Sequence, residues 1–132
     1  MNYKTFPPSK IYVSKSEVGS GERGVFANQE IQKGEVIERC PFIEVPKEEL
    51  ESVENTIFVN YIYFFGVKKE RVLLALGFGS IYNHSYTPNA AYKIIASKKV
   101  IEFSALKNIK RGEEIFVNYN QESPNSNPLW FE

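Results

Sequence analysis

Apolar and polar positions alternate along this chain in short runs, and almost none of the runs keep helical spacing. Ile11-Tyr12-Val13 is a short strand candidate. Val25-Phe26-Ala27 is another, entered through the glycine-rich turn Gly19-Ser20-Gly21-Glu22-Arg23-Gly24. Gly34-Glu35-Val36-Ile37-Glu38 leads to a second strand pair around residues 42–45. Residues 46–55 predict the one good helix: Pro46 opens it, acids fill its first turn, and Leu50, Val53 and Ile57 share a face. The run 57–65 alternates imperfectly and fits a strand or a buried loop, while 72–76 reads as a buried strand. Residues 92–96 and 100–106 flank Ser97-Lys98-Lys99 as a hairpin, with Ile101, Phe103 and Ala105 on one face. A last strand, 114–119, precedes a polar tail that ends in Leu129-Trp130-Phe131.

Two features organise this pattern. Residues 79–92 place Asn83, His84, Ser85, Thr87 and Asn89 around Pro88, between apolar runs. So many side chains able to bond nearby backbone disfavour a regular strand or helix, and the stretch reads as a held loop. Elsewhere, Ala27-x-x-x-Ile31-x-Lys33-Gly34-Glu35-x-Ile37 returns as Ala105-x-x-x-Ile109-x-Arg111-Gly112-Glu113-x-Ile115. Two copies make no solenoid, but they predict one strand, basic-glycine turn, strand unit used twice in a domain of many short strands.

Composition narrows the class. The 132 residues suffice for one domain, 1–132, with its own core, and 42% apolar with 24% charged residues is ordinary for a globular protein. Sixteen basic and sixteen acidic side chains cancel, so net charge gives no reason to expect direct nucleic-acid or membrane binding. The lone Cys40 excludes an internal disulfide and a cysteine-only zinc cluster, and reads as a small core hydrophobe. With no signal-like apolar leader and no run of membrane-spanning length, the expected location is intracellular, cytoplasmic or nuclear. Residues 19–24 match G-x-G-x-x-G literally, but no helix opens after them, which removes the dinucleotide reading.

Three separated pieces carry the chemistry: Gly21-Glu22-Arg23-Gly24-Val25-Phe26-Ala27, Asn83-His84-Ser85-x-x-Pro88-Asn89, and Gly112-Glu113-Glu114-Ile115-x-x-Asn118-Tyr119. Alone, His84 would be a structural histidine and Tyr119 a strand aromatic. Ser85 beside His84 makes no hydrolase, because neighbours on an extended loop point apart and no nucleophile elbow is present. In this order and spacing the pieces resemble the SET-domain protein-lysine methyltransferases over nearly the whole chain. The resemblance implies a mainly β, β-clip-like fold of several short sheets, a knotted C-terminal crossing and one or two short helices. It implies S-adenosylmethionine as cofactor, held by Gly21, Glu22, Arg23, Gly24, Val25, Asn83, His84 and Tyr119, and no metal. Tyr119 falls at the family's catalytic tyrosine, Tyr92 at a lysine-channel tyrosine, and Tyr61 is a third candidate. The implied substrate is a lysine of a histone or another protein, and short members of the family make a homodimer a further expectation. The alternative is a SET-like interaction module that binds the cofactor without transfer.

The chemistry explains the aromatics. A lysine amine with a pKa of about 10.4 is neutral in roughly 1 of 2500 copies at pH 7, a deficit of about 4 to 5 kcal/mol. A narrow aromatic tunnel beside a sulfonium desolvates the ammonium and lowers that pKa. Tyrosine hydroxyls and backbone carbonyls then align amine and methyl for in-line displacement. The chain departs from the family pattern at three points. Glu22-Arg23-Gly24 stands where many relatives have Gly-x-Gly. Ser80 replaces a basic residue, so Arg23 is expected to take the cofactor carboxylate. Tyr86 stands where cysteine is frequent, and no cysteine cluster follows Tyr119, so the tail, about 120–132, is expected to close the site through Trp130 and Phe131 in place of a zinc extension.

Overall fold

The short runs fold into two curled sheets, described by a computed structural model for residues 4–18, 22–66, 68 and 70–119. The first sheet has four strands in the order β1 (Ile11–Lys15), β2 (Arg23–Ala27), β9 (Glu114–Val117) and β6 (Asn83–His84). The second has five, β4 (Ile62–Phe65), β5 (Arg71–Ala75), β3 (Val36–Glu44), β8 (Val100–Ala105) and β7 (Ala90–Ile95). Every pairing is antiparallel except β6 with β9, which run parallel with Asn83 opposite Phe116 and His84 opposite Val117. The segment expected to be all loop therefore contains a two-residue strand, because Asn83 and His84 are placed in a ladder by β9 rather than by local propensity.

The second strand pair expected near 42–45 is instead one nine-residue strand, β3, with a bulge between Val36 and Glu38. The bulge breaks the two-residue alternation, so that Ile37 and Glu38 are both buried. The predicted helix is shorter than 46–55: a 3-10 turn at Lys47–Glu49 leads into α1, Leu50–Glu54. None of its residues is buried and Ile57 is 66% exposed, so its apolar face does not seat in the core. The ambiguous run 57–65 divides into a 3-10 turn, Ile57–Tyr61, and β4.

The repeated sequence unit is a structural pair. Ile31 and Ile109 exchange both backbone hydrogen bonds at 2.8 Å. Gly34 donates to the carbonyl of Ala105, and Gly112 donates to the carbonyl of Ala27, each at 2.8 Å. Both glycines have φ +89°, and the glutamate after each accepts from the backbone three residues earlier, Glu35 from Gln32 and Glu113 from Lys110. One unit carries the chain from β2 into β3 and the other from β8 into β9, while β2 pairs β9 and β3 pairs β8. The two units thus join the sheets around a continuous core in which Ile31, Phe103, Ile109 and Ile115 are fully buried. No helix among the described residues is long and apolar enough to cross a membrane.

Candidate active site

The parallel pairing of β6 with β9 brings the second and third sequence motifs together. Asn89, buried just after β6, fixes the crossing: its amide donates to the Glu114 carbonyl at 2.9 Å and its oxygen accepts from the Phe116 amide at 2.8 Å. Ser85 N–H donates to the Val117 carbonyl. Beyond the strand, the Tyr119 amide donates to Nδ1 of His84 at 3.0 Å, and the Tyr119 hydroxyl donates to the carbonyl of Tyr82. The His84 ring stands edge-on to Tyr86, 4.4 Å between centroids, and is tilted against Tyr119 at 5.1 Å.

A cleft of about 720 Å³ opens at this crossing, lined by Val18, Glu22, Arg23, Ile57, Asn60, Tyr61, Ser80, Ile81, Asn83, His84 and Tyr119. Glu22, Arg23, Tyr61, Asn83, His84 and Tyr119 are therefore gathered at one place. Gly24, Val25 and Tyr92 do not line it. Val25 is fully buried in the core, paired with Val13 on one side and the buried Ile115 on the other, so its side chain has no route to a ligand. Tyr92, also buried, stands behind the cleft, where its hydroxyl donates to the Tyr119 carbonyl at 3.2 Å and its ring meets Tyr63 edge-on at 4.9 Å. Gly21, Trp130 and Phe131 lie outside the described residues.

Gly24 has a reason the sequence did not show. A Cβ there would lie 2.3 Å from Oε2 of Glu114 and 3.0 Å from Nδ2 of Asn83, so a protein carboxylate occupies the space. Glu114 accepts from the Ser16 hydroxyl at 2.8 Å and from Asn83 Nδ2 at 2.8 Å, tying β9 to the segment after β1 and to β6. Ser16 in turn closes its own loop by donating its N–H to the Glu22 carbonyl. The sequence signal for Glu114 was its place in the Gly-Glu-Glu-Ile lead, which ranked it only as a strand residue. Ser80, noted for lacking positive charge, donates its hydroxyl to the carbonyls of Tyr61 and Ala75, both at 3.0 Å, and so holds the backbone of Tyr61.

Electrostatics follow from burial. The Tyr119 phenol is pushed up to about 12, by burial first and then by nearby Tyr61 and Glu114. Burial, then Tyr119, raises Tyr92 further still. Both phenols are therefore neutral at physiological pH and offer a hydroxyl donor or lone pair rather than a base. Burial followed by the Glu38 carboxylate pushes the Cys40 thiol up, which leaves it inert as a nucleophile.

The cleft fits a nucleoside sulfonium in size and lining, since small-molecule sites of a few hundred to about 1000 Å³ combine apolar walls with few polar groups. Asn83 narrows how it would do so. Its two amide hydrogens are committed to Arg23 O at 3.1 Å and to Glu114, which leaves its side-chain oxygen unengaged among the described residues. It can accept from an ammonium or an exocyclic amine and cannot serve a carboxylate.

These two curled sheets, with a polar cleft at a parallel crossing and a half-buried tyrosine at its end, define a class of β enzyme scaffold with known relatives. A family model described as the SET domain matches residues 22–120. A histone-lysine N-methyltransferase of Schizosaccharomyces pombe, specific for H3 lysine-37, is 35% identical over 111 residues, covering 83% of this chain and 70% of that protein. The crystal structure of a candidate histone methyltransferase of Plasmodium falciparum shares 34% identity with a TM-score of 0.67, covering 93% of this chain and 97% of that one. Chaetomium thermophilum Polycomb Repressive Complex 2, autoinhibited and bound to S-adenosylmethionine, shares 26% identity with a TM-score of 0.67 over 91% of this chain and 16% of that one. The chain belongs to the SET-domain family of S-adenosylmethionine-dependent protein-lysine methyltransferases.

Proposed function

We propose that this chain methylates a lysine of a basic protein segment, with a histone tail as the first substrate to test, and that Tyr119 is its catalytic tyrosine. The observation that carries the reading is the pairing of the Tyr119 hydroxyl with the Tyr82 carbonyl, one residue before Asn83, at the end of the cleft. S-adenosylmethionine, when bound, supplies a methyl group on a positively charged sulfur.

The remaining roles fall to the protein. Asn83 accepts from the cofactor's ammonium through its carbonyl oxygen, and Arg23, exposed at the cleft, takes the carboxylate. His84 positions Tyr119 by accepting its amide hydrogen. Tyr61, which lines the same cleft, forms the channel with Tyr119, and Tyr92 supports the channel by bonding the Tyr119 carbonyl. The phenolic oxygen of Tyr119 and the carbonyl oxygens beside it orient the incoming amine, whose neutral form is favoured by the apolar surroundings. A strong protein base is unnecessary, because the amine gives its proton to bulk water before it is aligned.

The substrate class is supported by charge in the turns that lead into the cleft. Glu48, Glu49, Glu51 and Glu54 stand against a single Lys47 on the two helical turns just before Ile57, which lines the cleft. Acidic turns leading into a cleft-lining residue favour a lysine flanked by basic residues. Transfer from labelled cofactor to histones and to whole-cell lysate, followed by mass spectrometry, tests this reading. Product must appear with the wild type and vanish with Tyr119→Phe; equal product from that variant refutes Tyr119, and no product on any protein supports the module that binds without transfer.

A further inference from the structure

A buried carboxylate is linked to the proposed catalytic tyrosine through Tyr82, and none of the roles above uses it. Glu38 is 5% exposed, and among the described residues no Lys or Arg pairs with it. It faces inward because the bulge in β3 turns two successive side chains to the same face, a device that re-aims side chains near functional sites. One carboxylate oxygen accepts from the Tyr82 hydroxyl at 2.8 Å and the other from the Phe78 amide at 3.0 Å. The loop before Tyr82 is shaped around it: Gly77 has φ +65°, and a Cβ there would lie 2.6 Å from Oε2 of Glu38. The Tyr82 ring is clamped on its face by Phe103, stacked at 4.3 Å and 20°. Tyr82 thus has two ends. Its side chain is locked in the core by Glu38, and its carbonyl accepts the Tyr119 hydroxyl.

We infer that Glu38 is a positioning residue for methyl transfer: through the Tyr82 hydroxyl it fixes the peptide whose carbonyl aims the Tyr119 hydroxyl. The inference rests on Tyr119 being the catalytic tyrosine. A buried carboxylate without a cationic partner is costly to keep, even with the Tyr82 hydroxyl and Phe78 amide donating to it. Holding an alignment is what the carboxylate adds, and small misplacements of reacting groups are expensive in rate. Because neither Glu38 nor the Tyr82 side chain reaches the cleft lining, the effect belongs to kcat and not to cofactor affinity.

The test compares the full chain as wild type, Glu38→Gln, Tyr82→Phe, the double variant and Tyr119→Phe, measuring kcat by methyl transfer and cofactor Kd by calorimetry. The inference expects each single change at 38 or 82 to lower kcat about tenfold or more with Kd within about twofold. The double variant should be no worse than Tyr82→Phe alone, because that change already removes the one bond joining the two residues. Wild-type kcat in Tyr82→Phe, with Tyr119→Phe inactive, overturns the role of Glu38 and leaves that of Tyr119 standing. Full activity in Tyr119→Phe instead overturns the reading beneath it. Loss of kcat and of cofactor affinity in proportion reduces Glu38 to a fold residue and overturns the inference as well. Should Glu38→Gln fail to fold, Tyr82→Phe, which deletes one hydroxyl, decides the matter alone.

Discussion

The backbone amide of Tyr119 donates to Nδ1 of His84 across 3.0 Å, so the motif histidine acts on the tyrosine 35 residues later through the main chain. Accepting at Nδ1 requires that nitrogen to be unprotonated, which places the imidazole hydrogen on Nε2. His84→Ala removes the acceptor and leaves an amide without its partner, a cost of about 1 to 3 kcal/mol. It also releases the turn that carries the Tyr119 ring. We expect kcat to fall at least tenfold in steady-state methyl transfer. His84→Asn, whose side-chain oxygen can stand near the lost Nδ1, should recover part of that loss.

Gly34 and Gly112 occupy equivalent turns of the repeated unit, both at φ +89°, and a Cβ added at either would meet nothing within 4 Å. Substitution by alanine therefore meets backbone strain and no clash. Each of Gly34→Ala and Gly112→Ala should lower unfolding free energy by about 1 to 2 kcal/mol, and by similar amounts, because the strain is the same. Urea titrations of the two variants check this; a twofold or larger difference between them would show that the turns are not equivalent.

How much of this could be read from the sequence depended on where the determining contact lay. The hairpin Ala90–Ile95 with Val100–Ala105 was legible because alternation and a polar turn are local. The repeated unit was legible as two strand-turn-strand copies, although not as reciprocal partners, since the bonds joining Ile31 to Ile109 cross 78 residues. Glu38 was not legible: period two assigns it to the solvent face, and the bulge that turns it inward comes from register with β8. The packing demand at Gly24 was not legible either, since Glu114, distant in sequence, occupies the space where its Cβ would fall. The shared face of Leu50, Val53 and Ile57 was legible, but not that it stays out of the core, because periodicity reports amphipathicity and not what covers the apolar side.

Four tyrosines, Tyr63, Tyr82, Tyr92 and Tyr119, are held above the usual phenol range, in each case by burial first. Below about pH 10 both folded and unfolded chains keep these protons, and stability is full. Above that value the unfolded chain ionises first, the folded chain binds more protons, and stability falls as pH rises. Each phenol contributes a slope of about 1.4 kcal/mol per pH unit in that window. Circular dichroism with absorbance near the phenolate band should therefore show tyrosine ionisation and unfolding together above about pH 10. Early ionisation in a folded chain would contradict the burial of these rings.

The orientation of the Asn83 amide makes a sharper demand. Glu114 fixes it by accepting from Nδ2 at 2.8 Å, and the oxygen left over is the acceptor assigned to the cofactor's ammonium. Asn83→Asp keeps the shape but sets two carboxylates against each other where a hydrogen bond stood, which disfavours the ionised pair. Cofactor affinity, read by calorimetry, should fall more than tenfold. Adding Glu114→Gln supplies a donor to the new aspartate while its own oxygen still accepts from Ser16, so the double variant should regain part of the affinity. The regain is partial because the aspartate also faces the Arg23 carbonyl, which formerly accepted from Asn83. Glu114→Gln alone can present its oxygen to Asn83 and should bind cofactor within a few-fold of wild type. Equal losses in the Asn83→Asp single and double variants would show that Glu114 does not orient Asn83.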